Sequence, residues 1–353
     1  MSETGKIIFD TASRIFEDLS TAEVINAAEN GQWPEALWQA IVESGLTLTW
    51  ISEEAGGVGA DMLDGFAVLK AAGGAAVPVP LAETMMAGWL QAKAGLPVGS
   101  EPMSVVIGGL HWDGEVLNGS VTGIPHGRNV KNLVVILDSE EGAIALCCKA
   151  DDVAVRPVAG LSGEPWDTLE FKGVKPDQLG ALQDGVDEAA AQALGALIRC
   201  AQASGAMAQA LELTIQYSME RVQFGRPLAK FQALQHSIAA FAGQVAAINA
   251  ATDSAAETLA RNNRVDNDTW VEIAAAKTRL EEAVNEGAAV AHQVHGAMGF
   301  TYEHQLHHLT RRLWSWRDEY GSDAVWSVRL GDEVLKWGAE ALWPKITAVS
   351  NPR

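Results

Sequence analysis

The chain has 353 residues, 48% of them hydrophobic and 20% charged, with a formal charge of −20. That is the composition of a globular chain with room for two or three cores, and so acidic a balance lacks the basic footprint that nucleic-acid phosphates demand. Three cysteines, two of them adjacent at Cys147 and Cys148, make neither a disulfide framework nor a zinc spacing. The opening MSETGKIIF has no basic-then-apolar leader and no apolar run nears the ~18 residues of a membrane span, so the expected setting is reduced and cytoplasmic.

In chain order, residues 1–98 read as helices, because apolar positions recur at helical spacing in IIFDTASRIF, PEALWQAIVESG and DGFAVLKAAGG. Between them WISEEAGGVGAD must turn, and Glu53 and Glu54 belong to that turn rather than to a carboxylate pair for acid–base work. From 99 to 178 the texture changes to short β-branched or apolar runs (MSVVIGG, GEVLNGSVTG, NLVVILD, GAIALCCKA) divided by Gly, Asn and Asp, the pattern of antiparallel strands. From 179 to 353 the chain is Ala-rich and helical again, with long segments at 185–220, 228–262 and 268–297. The expected fold class is α+β: an N-terminal helical domain, a small middle antiparallel β-domain and a C-terminal four-helix bundle.

One corner of the bundle stands out. In MERVQFGRPLAKFQ, Gly225 and Pro227 break a long apolar helix, and Arg221, Arg226 and Lys230 gather at the break of an otherwise acidic protein. A guanidinium offers a rigid fork of donors, and a helix start offers free backbone N–H groups, so the corner suits an anion.

This three-part layout, with ERVQFGRPLAKFQ, resembles the acyl-CoA dehydrogenase family, which carries an Arg-x-x-Phe-Gly break followed by Phe-Gln. Here these are Arg221, Phe224, Gly225, Phe231 and Gln232. A second family stretch, Gln-x-x-Gly-Gly-x-Gly-Phe, is present from Gln293 to Phe300 with Ala297 replacing one glycine, and SEEAGGVGAD matches a third with Ser52 in a proline's place. The resemblance implies FAD as cofactor, an acyl-CoA thioester as substrate, an oligomer, homo- or heteromeric and tetrameric in form, and an electron-transfer flavoprotein as acceptor. It implies that Arg221, Gln223, Phe224, Gln232, Gln293 and Gly296 hold the ADP half of an FAD whose flavin ring lies in a neighbouring subunit.

The reaction implied is α,β-dehydrogenation, in which a carboxylate removes the α-proton and the β-hydrogen leaves as hydride to the flavin. Here the sequence departs from the family. The usual base position, counted on from Phe300, falls on Tyr320, with Glu319 one place early as the candidate catalytic residue; the alternative base position falls at Gly195. The Thr-Glu-Pro-x-x-Gly-Ser strand that touches the flavin is missing between Pro97 and Asn118, and in the segment carrying the flavin's Trp shelf Gly123 replaces the Trp and Pro125 the Thr. The pattern resembles short accessory subunits of heteromeric members, whose longer partner carries the base and the flavin ring and which often act on bulky acyl-CoAs, including steroid side chains. A self-sufficient homomer using Glu319, a non-catalytic scaffold or CoA-binding relative, and a relative with different flavin chemistry are the alternatives.

Two further clusters stand near the C-terminus. Arg311 and Arg312, with Trp314 and Trp316, are candidates for the CoA nucleotide, against a segment packing Trp inward and Arg outward. His292, His295, His304, His307 and His308 are expected around the adenine or at a subunit contact, with no metal site.

Overall fold

The structure, a computed structural model, describes residues 3–350. Five helices open it: α1 (Glu3–Leu19), α2 (Ala22–Glu29), α3 (Glu35–Glu43), α4 (Met62–Gly74) and α5 (Leu81–Lys93). Eight strands follow, β1 (Met103–Ile107), β2 (His111–Trp112), β3 (Leu117–Pro125), β4 (Asn132–Ser139), β5 (Gly142–Lys149), β6 (Ala154–Arg156), β7 (Trp166–Val174) and β8 (Gln178–Ala181). The bundle is α6 (Glu188–Glu220), α7 (Gln232–Asn262), α8 (Asn267–His295) and α9 (Leu306–Trp316), followed by α10 (Asp323–Trp337) and α11 (Ala339–Ser350). A two-stranded ribbon, β9 (Val222–Gln223) with β10 (Arg226–Pro227), joins α6 to α7. No helix among the described residues is long and apolar enough to cross a membrane.

The strands form two four-stranded sheets, ordered β1-β4-β5-β8 and β2-β3-β7-β6. One expectation is corrected here: β1 pairs with β4 in parallel, Met103 opposite Asn132. Between the two, the chain leaves for the second sheet to make β2 and β3, so it re-enters the first sheet in the direction it left. The other pairings are antiparallel. Strand alternation assigns β4 to two cores: Val134 and Ile136 face the helices, while Leu133, Val135 and Leu137 face the second sheet. Cys147 and Cys148 likewise point to opposite faces of β5, one to each core.

The N-terminal helices and the bundle share one core. Their closest seam is α4 against α6, where a Cβ on Gly205 would stand 1.8 Å from the Lys70 carbonyl oxygen and one on Gly73 1.9 Å from that of Gln202. Alanine at either place would drive the two backbones apart. Asp187 caps α6 by accepting from the Ala190 N–H at 2.7 Å, and Asp266 caps α8 through the Thr269 N–H at 3.0 Å. At ~1.5 Å per residue, α6 runs ~50 Å, from the β-domain to the ribbon.

Candidate functional site

The corner between α6 and α7 is built by a tight hairpin. Gln223 pairs with Arg226, and both residues of the turn take positive φ, 50° at Phe224 and 79° at Gly225, the backbone of a type I′ turn. Glycine adopts this freely; phenylalanine does so at a cost of ~1 kcal/mol or more. Phe224 gains little packing in return, being 93% exposed and meeting only the edge of Phe231 at 6.3 Å. Among the described residues, the side chains of Arg221, Gln223, Gln232 and Gln293 make no hydrogen bond or ion pair. Arg226 lies over the Phe231 ring at 4.2 Å without an acidic partner, and Lys230 also has none. In a chain of charge −20, three unpaired cations on one strained, exposed hairpin fit a polyanion such as a pyrophosphate.

The second half of this corner is the end of α8. Tyr217, one turn before Arg221, stacks on His295 at 4.6 Å, which sets the end of α8 against the end of α6. Gly296 ends α8 with φ 59°, and the turn that follows leaves Phe300 63% and Tyr302 72% exposed. Arg221, Gln223, Phe224, Gln232, Gln293 and Gly296 are all exposed, at the two helix ends that Tyr217 and His295 join.

The two base positions meet as well. Tyr320 lies directly on Gly195, where an added Cβ would stand 2.3 Å from the phenol ring. The Tyr320 hydroxyl reaches Met86 Sδ at 4.0 Å, and burial pushes the phenol above its ordinary pKa. One turn along α6, Arg199 crosses the Tyr320 ring at 5.8 Å. Its guanidinium donates to Glu319 Oε2, Glu83 Oε1 and Gln202 Oε1, each at 2.6 Å. Burial alone would lower the Arg199 pKa, but Glu319 and Glu83 outweigh it and hold the group charged. Glu319 also accepts from Ser315 Oγ at 2.8 Å, and burial pushes its carboxyl up against the pull of Arg199. Lys277, buried and lowered to about 8 by that burial, donates to the Trp316 and Arg317 carbonyls and caps the end of α9. Both usual base places are thus occupied, one by a phenol and one by the glycine beneath it. The nearby carboxylate is held by an arginine.

Arg199 and Glu83 were not visible as a pair in the sequence, since their partners lie over a hundred residues away. A signal was present: AQALGALIRCAQA buries every face from Leu194 to Ser204, and a lone cation in such a run requires a buried acid.

On the β-domain, Gly123 (φ 75°) lies beneath Trp166 of the neighbouring strand, whose indole nitrogen would sit 2.9 Å from an added Cβ. Ser104 Oγ donates to the Pro125 carbonyl at 2.8 Å. The position that the resemblance gives to a tryptophan shelf is thus covered by an indole that comes from β7 and not from β3 itself.

Arg311 and Arg312 join the domains. Arg311 donates to Glu29 on α2 at 3.0 Å and to the Leu161 carbonyl at 3.2 Å, and Arg312, wholly buried, donates to Glu164 at 3.2 Å. Of the two readings of this segment, arginines turned outward fails for Arg312, which is buried over Glu164 and His126. Trp316 is buried and Trp314 partly so. The five histidines face inward to different depths: His308 bonds Glu29 at 3.1 Å, and His295 meets His304 edge-on at 4.7 Å.

Comparison with known proteins gives one answer along most of the chain. Residues 2–97 match the acyl-CoA dehydrogenase N-terminal domain and residues 188–329 the acyl-CoA dehydrogenase C-terminal domain. Acyl-CoA dehydrogenase IpdE2 of Mycobacterium tuberculosis is 30% identical over 296 residues, covering 81% of this chain and 82% of that protein. Its namesake in Mycolicibacterium smegmatis is 28% identical over 314 residues, covering 87% and 91%. Among solved structures, the ChsE4-ChsE5 complex from Mycobacterium tuberculosis superposes with TM-score 0.85 at 23% identity, over 96% of this chain and 99% of that one. The Tcur3481-Tcur3483 steroid ACAD gives 0.84 at 23% identity, over 95% and 98%.

Proposed function

Because the chain belongs to the acyl-CoA dehydrogenase family of oxidoreductases, we propose that it is the short subunit of a heteromeric FAD-dependent acyl-CoA dehydrogenase. In this reading it holds the ADP end of an FAD whose ring lies in a longer partner chain, and that partner removes the α-proton. The observation that carries the reading is a contrast within one chain. The corner at Arg221 keeps its cations unpaired and exposed, whereas the base positions are filled by Tyr320 lying on Gly195.

Bound FAD supplies the acceptor for the β-hydride. This chain's part is binding and orientation: Arg221 forks onto the pyrophosphate, Gln223, Gln232 and Gln293 donate from their amides, Phe224 covers the nucleotide, and Gly296 lets the backbone approach. Each group is already solvent-facing, so binding breaks no internal bond. Glu319 is assigned to holding Arg199 and not to proton transfer, since both its oxygens are bound. The substrate is an acyl-CoA thioester, and the steroid-acting relative among the structural neighbours favours a bulky, steroid-derived acyl chain. The two-component relative favours a heteromeric assembly; an electron-transfer flavoprotein as electron acceptor follows from the family reading, and the cytoplasm as setting from the sequence.

Visible absorbance tests this directly. The chain purified alone is colourless, and it becomes yellow and active when produced with its longer partner. Arg221→Ala then strips FAD from the complex, while Glu319→Gln leaves turnover within about twofold. Stoichiometric FAD and acyl-CoA oxidation by the isolated chain would overturn the proposal, and a collapse of turnover in Glu319→Gln would make that residue the base.

A further inference from the structure

Around the end of α8 four imidazoles pack against one another and against rings, not against carboxylates. His292 stacks between Phe300 at 4.2 Å and Trp314 at 5.9 Å, its Nε2 paired with Thr310 Oγ1 at 2.8 Å. His295 stacks on Tyr217 and meets His304 edge-on, with Nδ1 bound to the Ala291 carbonyl at 2.8 Å. His304 accepts the Leu306 N–H at 3.1 Å through Nδ1, and this bond requires its unprotonated form. His307 binds the His304 carbonyl at 2.8 Å and touches His308 at 3.9 Å between ring centres. The charged groups facing the cluster are Glu29 on α2 and Arg311 on α9; Glu29 is spent on Arg311 and His308, and Arg311 itself opposes any new positive charge. Tyr217 is the titratable group presented by α6.

His292 and His295 adjoin Gln293 and Gly296 in the sequence, and His304 and His307 pack with them. We propose that His292, His295, His304 and His307 are positioning residues for the nucleotide corner, which they hold in its binding shape only while neutral. The inference goes beyond the clamp reading and rests on it only for what the corner holds. Burial keeps each imidazole below its ordinary pKa, helped by neighbouring imidazoles at His292 (at about 4), His304 and His307, and opposed at His295 by its backbone hydrogen bonds. Since the folded form binds protons less readily than an opened one, the ordered corner is fully favoured above the usual histidine pKa of ~6.5 and loses ground as pH falls below it. Opening frees the 296–304 turn first, because that segment is held by these rings and by the Asn26 amide donating to the Tyr302 carbonyl at 3.1 Å. The corner then releases its anion in mildly acidic solution, while the remainder of the bundle stays folded.

Hydrogen exchange on the full chain, corrected for the intrinsic pH dependence of exchange, reads the corner without FAD. Protection of amides 293–306 is expected to fall at least tenfold between pH 7.5 and 5.5, with α7 unchanged. His304→Asn keeps an acceptor for the Leu306 N–H and His295→Phe keeps the stack on Tyr217; each is expected to move the loss at least half a pH unit lower. Protection that stays level down to pH 5.5, or variants that leave its midpoint in place, would overturn the proposal. The clamp reading fails separately, if the complex carrying Arg221→Ala retains FAD at pH 7.5.

Discussion

Arg199 shows how much one side chain can be made to carry. It is charged, buried, and forks to Glu83 on α5, Gln202 on its own helix and Glu319 beyond α9. Removing it leaves two acids without their cation, and breaking a buried pair in this way costs ~3–5 kcal/mol. Arg199→Leu is therefore expected to lower the unfolding free energy by about that amount in urea titrations. Arg199→Lys keeps the charge but not the fork, and should fall between the variant and the parent. The sequence allowed Glu319, Tyr320 and Gly195 to be counted out from nearby motifs. It did not reveal that Glu319 is bound by an arginine 120 residues away, because that contact depends on how α5, α6 and the segment after α9 cross.

At the scale of elements, local signals were legible wherever the physics is local. Ala-rich periodicity marked α6, α7 and α8, and glycine with proline marked the hairpin between the first two. The parallel pairing of β1 was not legible, since β-rich texture carries no sense of direction and only the excursion through the second sheet determines it. The hairpin also supports a prediction. Phe224 sits at φ 50°, a conformation asparagine tolerates much better. Phe224→Asn is expected to stabilise the isolated chain by ~0.5–1 kcal/mol, read by thermal or urea unfolding, and to weaken FAD retention in the complex. A variant that loses stability would mean the aromatic side chain is held by the chain itself and not kept for a ligand.

For the whole molecule, the three regions are joined by a few ionic ties around α9 together with the shared core. Glu29 reaches from α2 and Glu164 from the loop before β7, and both end on Arg311, Arg312 or His308. Arginine opposite Glu164 holds that carboxyl below its ordinary pKa despite the burial that would raise it. Arg312→Met keeps much of the volume and leaves Glu164 buried without its cation. Limited proteolysis is expected to cut the loop at 159–165 several-fold faster in that variant, with the bundle still intact; an unchanged cleavage rate would assign the loop's order to packing instead.

The contact between Tyr320 and Gly195 has a consequence for the history of the chain. Any side chain larger than hydrogen at 195 strikes the phenol, so a glutamate cannot be placed there while Tyr320 stays. A glutamate at 320 alone would give up the ring that covers the glycine and would add a third acid beside Glu83 and Glu319, which already share one arginine. Either single substitution thus gives a chain that folds less well than the present one. If the two-subunit reading proposed above holds, tyrosine and glycine form a lock that no single substitution opens, and dependence on a second chain would be hard to reverse.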